Sequence, residues 1–414
     1  MARITLRRVA SLLALWVLGV QCPALSAQAE PAGGPALPLE EAVKLALLSH
    51  PSAQAAARQV QGAQAVLSGA RRPPSPEAYI VPAGKIDDAS FVAMQRFELG
   101  GKWAARIAAA FSSLSRSQWE REAVRQEIVL RVRTAYANAL EAQAIQQLSQ
   151  EAAKLVRQVA EAAQHSFELG NVPRSHVVRA RVEQARADQE LTKAEAALAI
   201  AQAALNTAIG RRADTPVSLA GTLDFHPSQI ALDGQIEQAL ARRPEIRSAQ
   251  SATEAAGHEL TVARRDLWPD LLLEGRLSRL GGGAERPAGI GLTLPFLDWG
   301  RRRAEIRRAE AERASQRALQ DQVANEVALQ VEEAVRSLKA AAQAVKIYEG
   351  GIVAQAEELM QMTQTGYAEG AISYLEVLDA RRALTEARQG YSRALADHAR
   401  SLAALQRATG APLP

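Results

Sequence analysis

From Lys102 to Leu169 the chain runs for 68 residues without a glycine or a proline. Apolar residues recur along it in steps of three and four, at Val124, Ile128, Val132, Ala135 and Ala139, which is the period of one helix face. At about 1.5 Å per residue this predicts a single helix roughly 100 Å long. A second stretch, Arg301 to Glu369, is one residue longer and carries Val323, Val327, Val331, Val335, Leu338 and Ala342 on one face. Gly350 and Gly351 interrupt it and predict a bend. A helix of this kind cannot bury its alanine-rich stripe alone, so the helices are expected to pack side by side as antiparallel coiled coils.

The two stretches belong to a larger duplication. FELGGKWAARI at 97–107 returns as FLDWGRRRAEI at 296–306, and FELGNVPRSHVVRAR around Gly170 returns as YAEGAISYLEVLDAR around Gly370. The segments around Pro51 and Pro244 match as well, and so do the stretches ending at Gly210 and Gly410. The mature chain therefore reads as two copies of one unit, residues 30–220 and 221–414. In each copy two shorter helices, placed end to end, would match the long one.

Residues 1–29 are set apart as an export signal. Arg3, Arg7 and Arg8 precede the apolar run SLLALWVLGV, and Ala27 and Ala29 stand at the spacing a signal peptidase reads. The run is too short to span a bilayer as a helix. Cys22, the only cysteine, lies inside this signal behind Gln21, where lipid attachment would need a small residue, so removal with the signal is expected. The mature chain then has no thiol for a disulfide, a metal site or a nucleophile. Removing three arginines and no acid lowers the formal charge from +4 to about +1, which argues against nucleic acid as a partner.

Between the rising and descending helices lie two hairpin signals, at about 75–99 and 269–297. SPEAYIVPA and FVAMQRFEL flank the polar turn GKIDDAS, while LLLEGRLSRL and IGLTLPF flank GGGAERPAG. The strands are long enough to cross a bilayer at a tilt. Leu273, Gly275 and Leu277 alternate with Glu274, Arg276 and Ser278, as lipid-facing and lumen-facing residues do, and Leu292, Leu294 and Phe296 share an apolar face. Four strands cannot close a barrel in lipid, so the chain must assemble. A dimer gives eight strands around a filled lumen, whereas a trimer gives twelve and begins to leave room for a channel. Gly100, Gly101 and Gly300 supply permissive backbone where a strand turns into a helix, and Pro295 suits a strand end.

FELGGK, the FxxGxx passages at Gly170 and Gly370, the run SYLEVLDARRAL and the two-copy layout resemble the TolC family of outer-membrane efflux proteins over essentially the whole mature chain. FELGGK is especially similar to the branch serving heavy-metal pumps. The resemblance implies a mainly α homotrimer with a small membrane β-barrel: a helical tunnel, or α-barrel, through the periplasm, continued by a twelve-stranded barrel with four strands per chain. It also implies an outer-membrane exit duct for an inner-membrane pump of the resistance-nodulation-division type and its periplasmic adaptor. Position by position, Glu376 and Asp379, after the second tip that includes Ser373, fall on the family's acidic pore rings. Tyr367 matches one member of the family's closing pair, whose acidic partner is replaced here by His176, and a basic residue of the closed state is replaced by Ile372. A phenol contact to a neutral histidine would weaken on acidification.

No catalytic, cofactor or resident metal site is predicted. The six histidines lack ligand spacing, and GGGA at 281–284 sits in a turn and not before a helix. Two other readings remain open: an outer-membrane channel for one-component protein secretion, which keeps the architecture and changes the partner, and a secreted structural coiled coil, which leaves the paired hairpins unexplained.

Overall fold

The computed structural model describes residues 36–83, 85–225, 234–278, 288–295, 298–369, 371–372 and 374–410. The expected export signal at 1–29, Phe296, Gly370 and Ser373 lie outside them. Each half opens with two helices divided by a proline: α1 (Leu39–Ser49) and α2 (Pro51–Ala70), then α5 (Gln235–Arg242) and α6 (Pro244–Arg265). The residue before a proline is pushed out of helical conformation, and His50 and Arg243 have ψ of 129° and 130°. The proline then restarts the chain as the first helical residue. Strands β1 (Glu77–Ala83) and β2 (Lys85–Phe97) follow in the first half, and β3 (Leu271–Ser278) and β4 (Ala288–Leu292) in the second.

The glycine-free stretch folds as α3 (Lys102–Glu168), and its buried residues include Ile128, Val132, Ala135 and Ala139. Its counterpart is α7 (Arg301–Ile347), a π-helical turn at Tyr348–Ile352, and α8 (Val353–Ala368). Gly350 and Gly351 thus widen the helix for one turn. The Tyr348 ring from this turn lies on Gly390, where a Cβ would come within 2.5 Å of it. The return helices are α4 (Arg174–Ile209) and α9 (Tyr374–Thr409).

These helices form four antiparallel rows. α3 packs between α2 and α4 on one side and α6 and α9 on the other, and α7 and α8 lie beyond α6 and α9. The sheet has the order β1-β2-β3-β4, all antiparallel, and β2 and β3 join the two hairpins from Ser90↔Ser278 to Phe97↔Leu271. Each strand continues the row beneath it, because β1 follows α2, β2 precedes α3, β3 follows α6 and β4 precedes α7. Cross-strand partners share a face. One face carries Ile80, Phe91, Phe97, Leu273, Ile290 and Leu292, all exposed, while the other carries Glu77, Arg96, Glu274 and Arg276. This is the apolar-out, polar-in pattern of a membrane strand.

Two strand limits differ from the sequence reading. Most of the expected turn GKIDDAS belongs to β2, since pairing continues through Val81↔Ser90 to Ala83↔Lys85. The ladder is made of backbone groups, so polar side chains do not end it. In the second hairpin β4 stops at Leu292, which leaves Leu294 and Pro295 beyond the strand. There the Thr293 N–H donates to the Asp270 carbonyl at 3.0 Å, the Thr293 hydroxyl accepts from the Asp270 N–H at 2.7 Å, and Pro295 offers no N–H to continue.

The apolar core lies at mid-height. α1 packs on α3 and α4 through Val43, Ala46, Val132, Ala139 and Leu205, and α5 packs on α7 and α9 through Ala239, Val331, Val335 and Leu405. The return helices end against the proline breaks. Gly210, at φ 85°, is so close that an added Cβ would lie 2.9 Å from His50 Cα, and Gly410 stands by Arg242 and Arg243. Arg243 is almost wholly buried and is held by Glu245 at 3.0 Å and Gln330 at 2.6 Å. Burial pushes the Glu245 carboxyl up, but the bond from Arg243 and the charges of Arg407 and Arg243 outweigh it, so Glu245 titrates below the usual carboxylate range.

His50 caps α2 by accepting from the Ser52 N–H at Nδ1, 3.1 Å away. Burial and then the Arg131 charge lower its pKa below the ordinary 6.5. A lowered folded-state value means that the neutral form stabilises the fold. That contribution is complete above about pH 6.5 and is lost as the pH falls below it. The expected outcome is a melting temperature that drops on acidification in the native chain and drops less in His50→Gln, measured by circular dichroism across this range.

Candidate functional site

The end of the wall remote from the strands is built by two tight reversals. α3 stops at Gly170, φ 77°, where the Gly170 N–H donates to the Phe167 carbonyl and the Asn171 N–H to the Ser166 carbonyl, both at 2.9 Å. This pair of bonds satisfies the last helical carbonyls, and the left-handed residue favours glycine. Pro173 then caps α4, whose first turn presents His176 to solvent. At the second reversal the Ala371 N–H donates to the Gly366 carbonyl at 2.8 Å, and the Ile372 side chain lies against Gly366. Tyr367, half exposed, is in the last turn of α8, and Glu376 is exposed in the first turn of α9.

Asp379 lines a cleft of about 760 Å³ floored by Ser149 and Ala152 of α3 and walled by α4 and α9. Four arginines share it: Arg179, Arg186, Arg381 and Arg382. Glu183 receives Arg186 at 3.0 Å and Arg382 at 2.7 Å, and the second pair ties α4 to α9 across α3. Nothing in the sequence singles out these arginines. They surround the acid because α4 and α9 converge over α3, which no local pattern reports.

The other end is the strand-to-helix junction. Gly100, Gly101 and Gly300 have φ of 66°, 74° and 87°, the region that favours glycine. Gly100 also lies under Trp268, whose ring would be 2.6 Å from an added Cβ. Pro295 is buried, and its carbonyl accepts from the Arg302 guanidinium. Backbone donation from Arg302, joined by Gly300 and the nearby arginine charges, holds the Asp298 carboxyl below its ordinary range and caps α7. Lys102 is buried, with Nζ 2.8 Å from Asp270 and 3.8 Å from Asp266, and so pins the start of α3 to the start of β3. Their separation of 168 positions in the chain hides this pair from sequence reading.

Among the described residues no cluster of three potential metal ligands occurs, and no helix is long and apolar enough to cross a membrane. The sequence profile of the family described as outer membrane efflux protein matches residues 88–211 and 235–411. The chain belongs to that family. It is 28% identical over 365 residues to the cobalt-zinc-cadmium resistance protein CzcC of Cupriavidus metallidurans, covering 87% of this chain and 86% of that one. It is also 28% identical to the cation efflux system protein CusC of Escherichia coli O6:H1, over 53% of this chain and 49% of the relative. The crystal structure of the CmeC outer membrane channel of Campylobacter jejuni superimposes with a TM-score of 0.79 over 90% of this chain and 85% of that chain, at 17% identity. The protein is thus an outer-membrane channel extending into the periplasm, and not an enzyme. The sheet is its membrane end, and the reversals form the end remote from it.

The Glu183–Arg382 pair is partly exposed, so its coupling should be about 0.2–1 kcal/mol. A double-mutant cycle with Glu183→Gln and Arg382→Gln, read by chemical denaturation, is expected to return a coupling in this range. Additive effects would show that α4 and α9 are not tied there.

Proposed function

We propose that three copies of this chain close into one duct that carries divalent metal cations out of the periplasm. In this reading an inner-membrane pump of the resistance-nodulation-division type and a periplasmic adaptor deliver the cations to the tips. The similarity to a cobalt-zinc-cadmium resistance protein along most of both chains carries the substrate assignment. Glu376 and Asp379, repeated three times around the narrowed opening, form rings that concentrate negative potential there. The turns at Gly170, Gly370 and Ser373 form the rim that meets the adaptor. Tyr367 and His176 form a contact at the closed tips.

Co-expression with a cognate pump and adaptor in a host lacking its own metal exporter should restore growth on zinc, cobalt or cadmium. Restored secretion of a protein substrate in place of metal tolerance would reject the reading. In planar bilayers Glu376→Gln with Asp379→Asn is expected to reduce cation preference and cation block several-fold. Unchanged selectivity would leave both residues as solvated helix-turn acids. Single-channel recordings should show more frequent opening in Tyr367→Phe than in the native chain. An identical opening probability in the two would remove the tip contact.

A further inference from the structure

Lumen and exterior are distinguishable just below the strands. A cleft of about 850 Å³ is lined by all four rows, among them Val66 of α2, Ala109 of α3, Glu259 of α6, and Glu305 and Arg308 of α7. A surface that gathers every row is the concave, lumenal side of the wall. At 3.6 residues per turn, the opposite sides of these helices carry Arg71, at the end of α2, Arg264 of α6, and Arg303 and Arg307 of α7. All four are exposed. Arg264 is paired with Glu310 at 2.8 Å, whereas Arg71, Arg303 and Arg307 have no carboxylate within ion-pair distance among the described residues. The side of α7 that meets the next protomer is about a quarter turn away, at Ala304 and Ala311, so closing the ring leaves the three arginines outside.

Two indoles stand at the same level. Trp268 is more than half exposed, and Trp299 is wholly exposed, with φ 54°. The equivalent position in the first half is Gly100, with φ 66°. A bulky residue therefore holds a backbone conformation that suits glycine, and it gains no burial within the chain in return. Directly above lie the exposed apolar residues of the sheet, Phe97, Leu273 and Leu292, which face lipid.

We infer that Arg71, Arg303 and Arg307, with Trp268 and Trp299, form a collar that binds anionic phospholipid headgroups at the periplasmic surface of the outer membrane. Indoles favour the headgroup layer, because one part of the ring system is apolar and the N–H needs a polar partner. Guanidinium groups give paired hydrogen bonds to a phosphate, and α7 places Arg303 and Arg307 within its first two turns, about 10 Å below the strands. The collar fixes how deep the barrel sits and gives the channel a preference for acidic lipid.

The test is native mass spectrometry of the detergent-solubilised full chain, offered an equal mixture of phosphatidylglycerol and phosphatidylethanolamine. The native protein should retain phosphatidylglycerol in excess. The preference should fall about fivefold for each arginine removed in Arg71→Gln, Arg303→Gln and Arg307→Gln, and persist in the three lysine variants. In bilayers containing brominated lipid, tryptophan quenching should diminish in Trp299→Gly, a change the backbone accepts as it does at Gly100. Equal retention of both lipids by the native protein, or an unchanged preference in the glutamine variants, would overturn the collar. Displacement of the lipid by excess inorganic phosphate would reduce it to a site for a free anion. Quenching that is the same with and without Trp299 would remove that residue from it.

Discussion

The unpaired backbone groups along β1 and β4 are the constraint on which the rest of the structure depends. In hydrocarbon each N–H and C=O must find a partner, and a four-stranded sheet leaves two rows of them open. The helical layer has the same incompleteness, with α2 and α4 at one border and α7 and α8 at the other. Because each strand continues one helical row, the borders of the two layers coincide. One neighbour can therefore complete sheet and wall together, and the curvature set by one layer must suit the other.

That coupling explains where the chain uses its specific contacts. The helices themselves are buried largely through alanine and valine, which permit close approach but specify register weakly. Register is supplied at the ends and at mid-height. Lys102 joins Asp270 where wall meets sheet, and Arg243 with Glu245 and Arg407 fixes the second proline break. Tyr136 is buried with its hydroxyl against the carbonyls of Leu37 and Ala220, which ties the segment just before α1 to the crossing between the two halves. Breaking one partner of such buried pairs leaves an uncompensated polar group, so they act against sliding of one row past another.

The long helices were legible because the absence of glycine and proline is a property of the sequence itself: α3 ends one residue before the predicted limit. The paired glycines at 350 and 351 signalled an interruption, but its form as a π-turn depends on Tyr348 fitting over Gly390 in the return helix α9. Strand limits were less legible, since backbone pairing carried β2 through polar residues and ended β4 early. At the end remote from the sheet, the reversal at Gly170 was readable because this glycine closes the glycine-free stretch. The arginines around Asp379 were not, because they converge only through the packing of α4 and α9 on α3.

Cysteine cross-linking between the two sheet edges tests closure most directly. With Cys22 replaced by serine, cysteines placed singly at positions 77–80 of β1 are combined with Ile290→Cys in β4 and oxidised in native membranes. The account predicts that at least one combination yields a covalent species of three chains and nothing larger. A product that stops at two chains, or a ladder that continues beyond three, would contradict it.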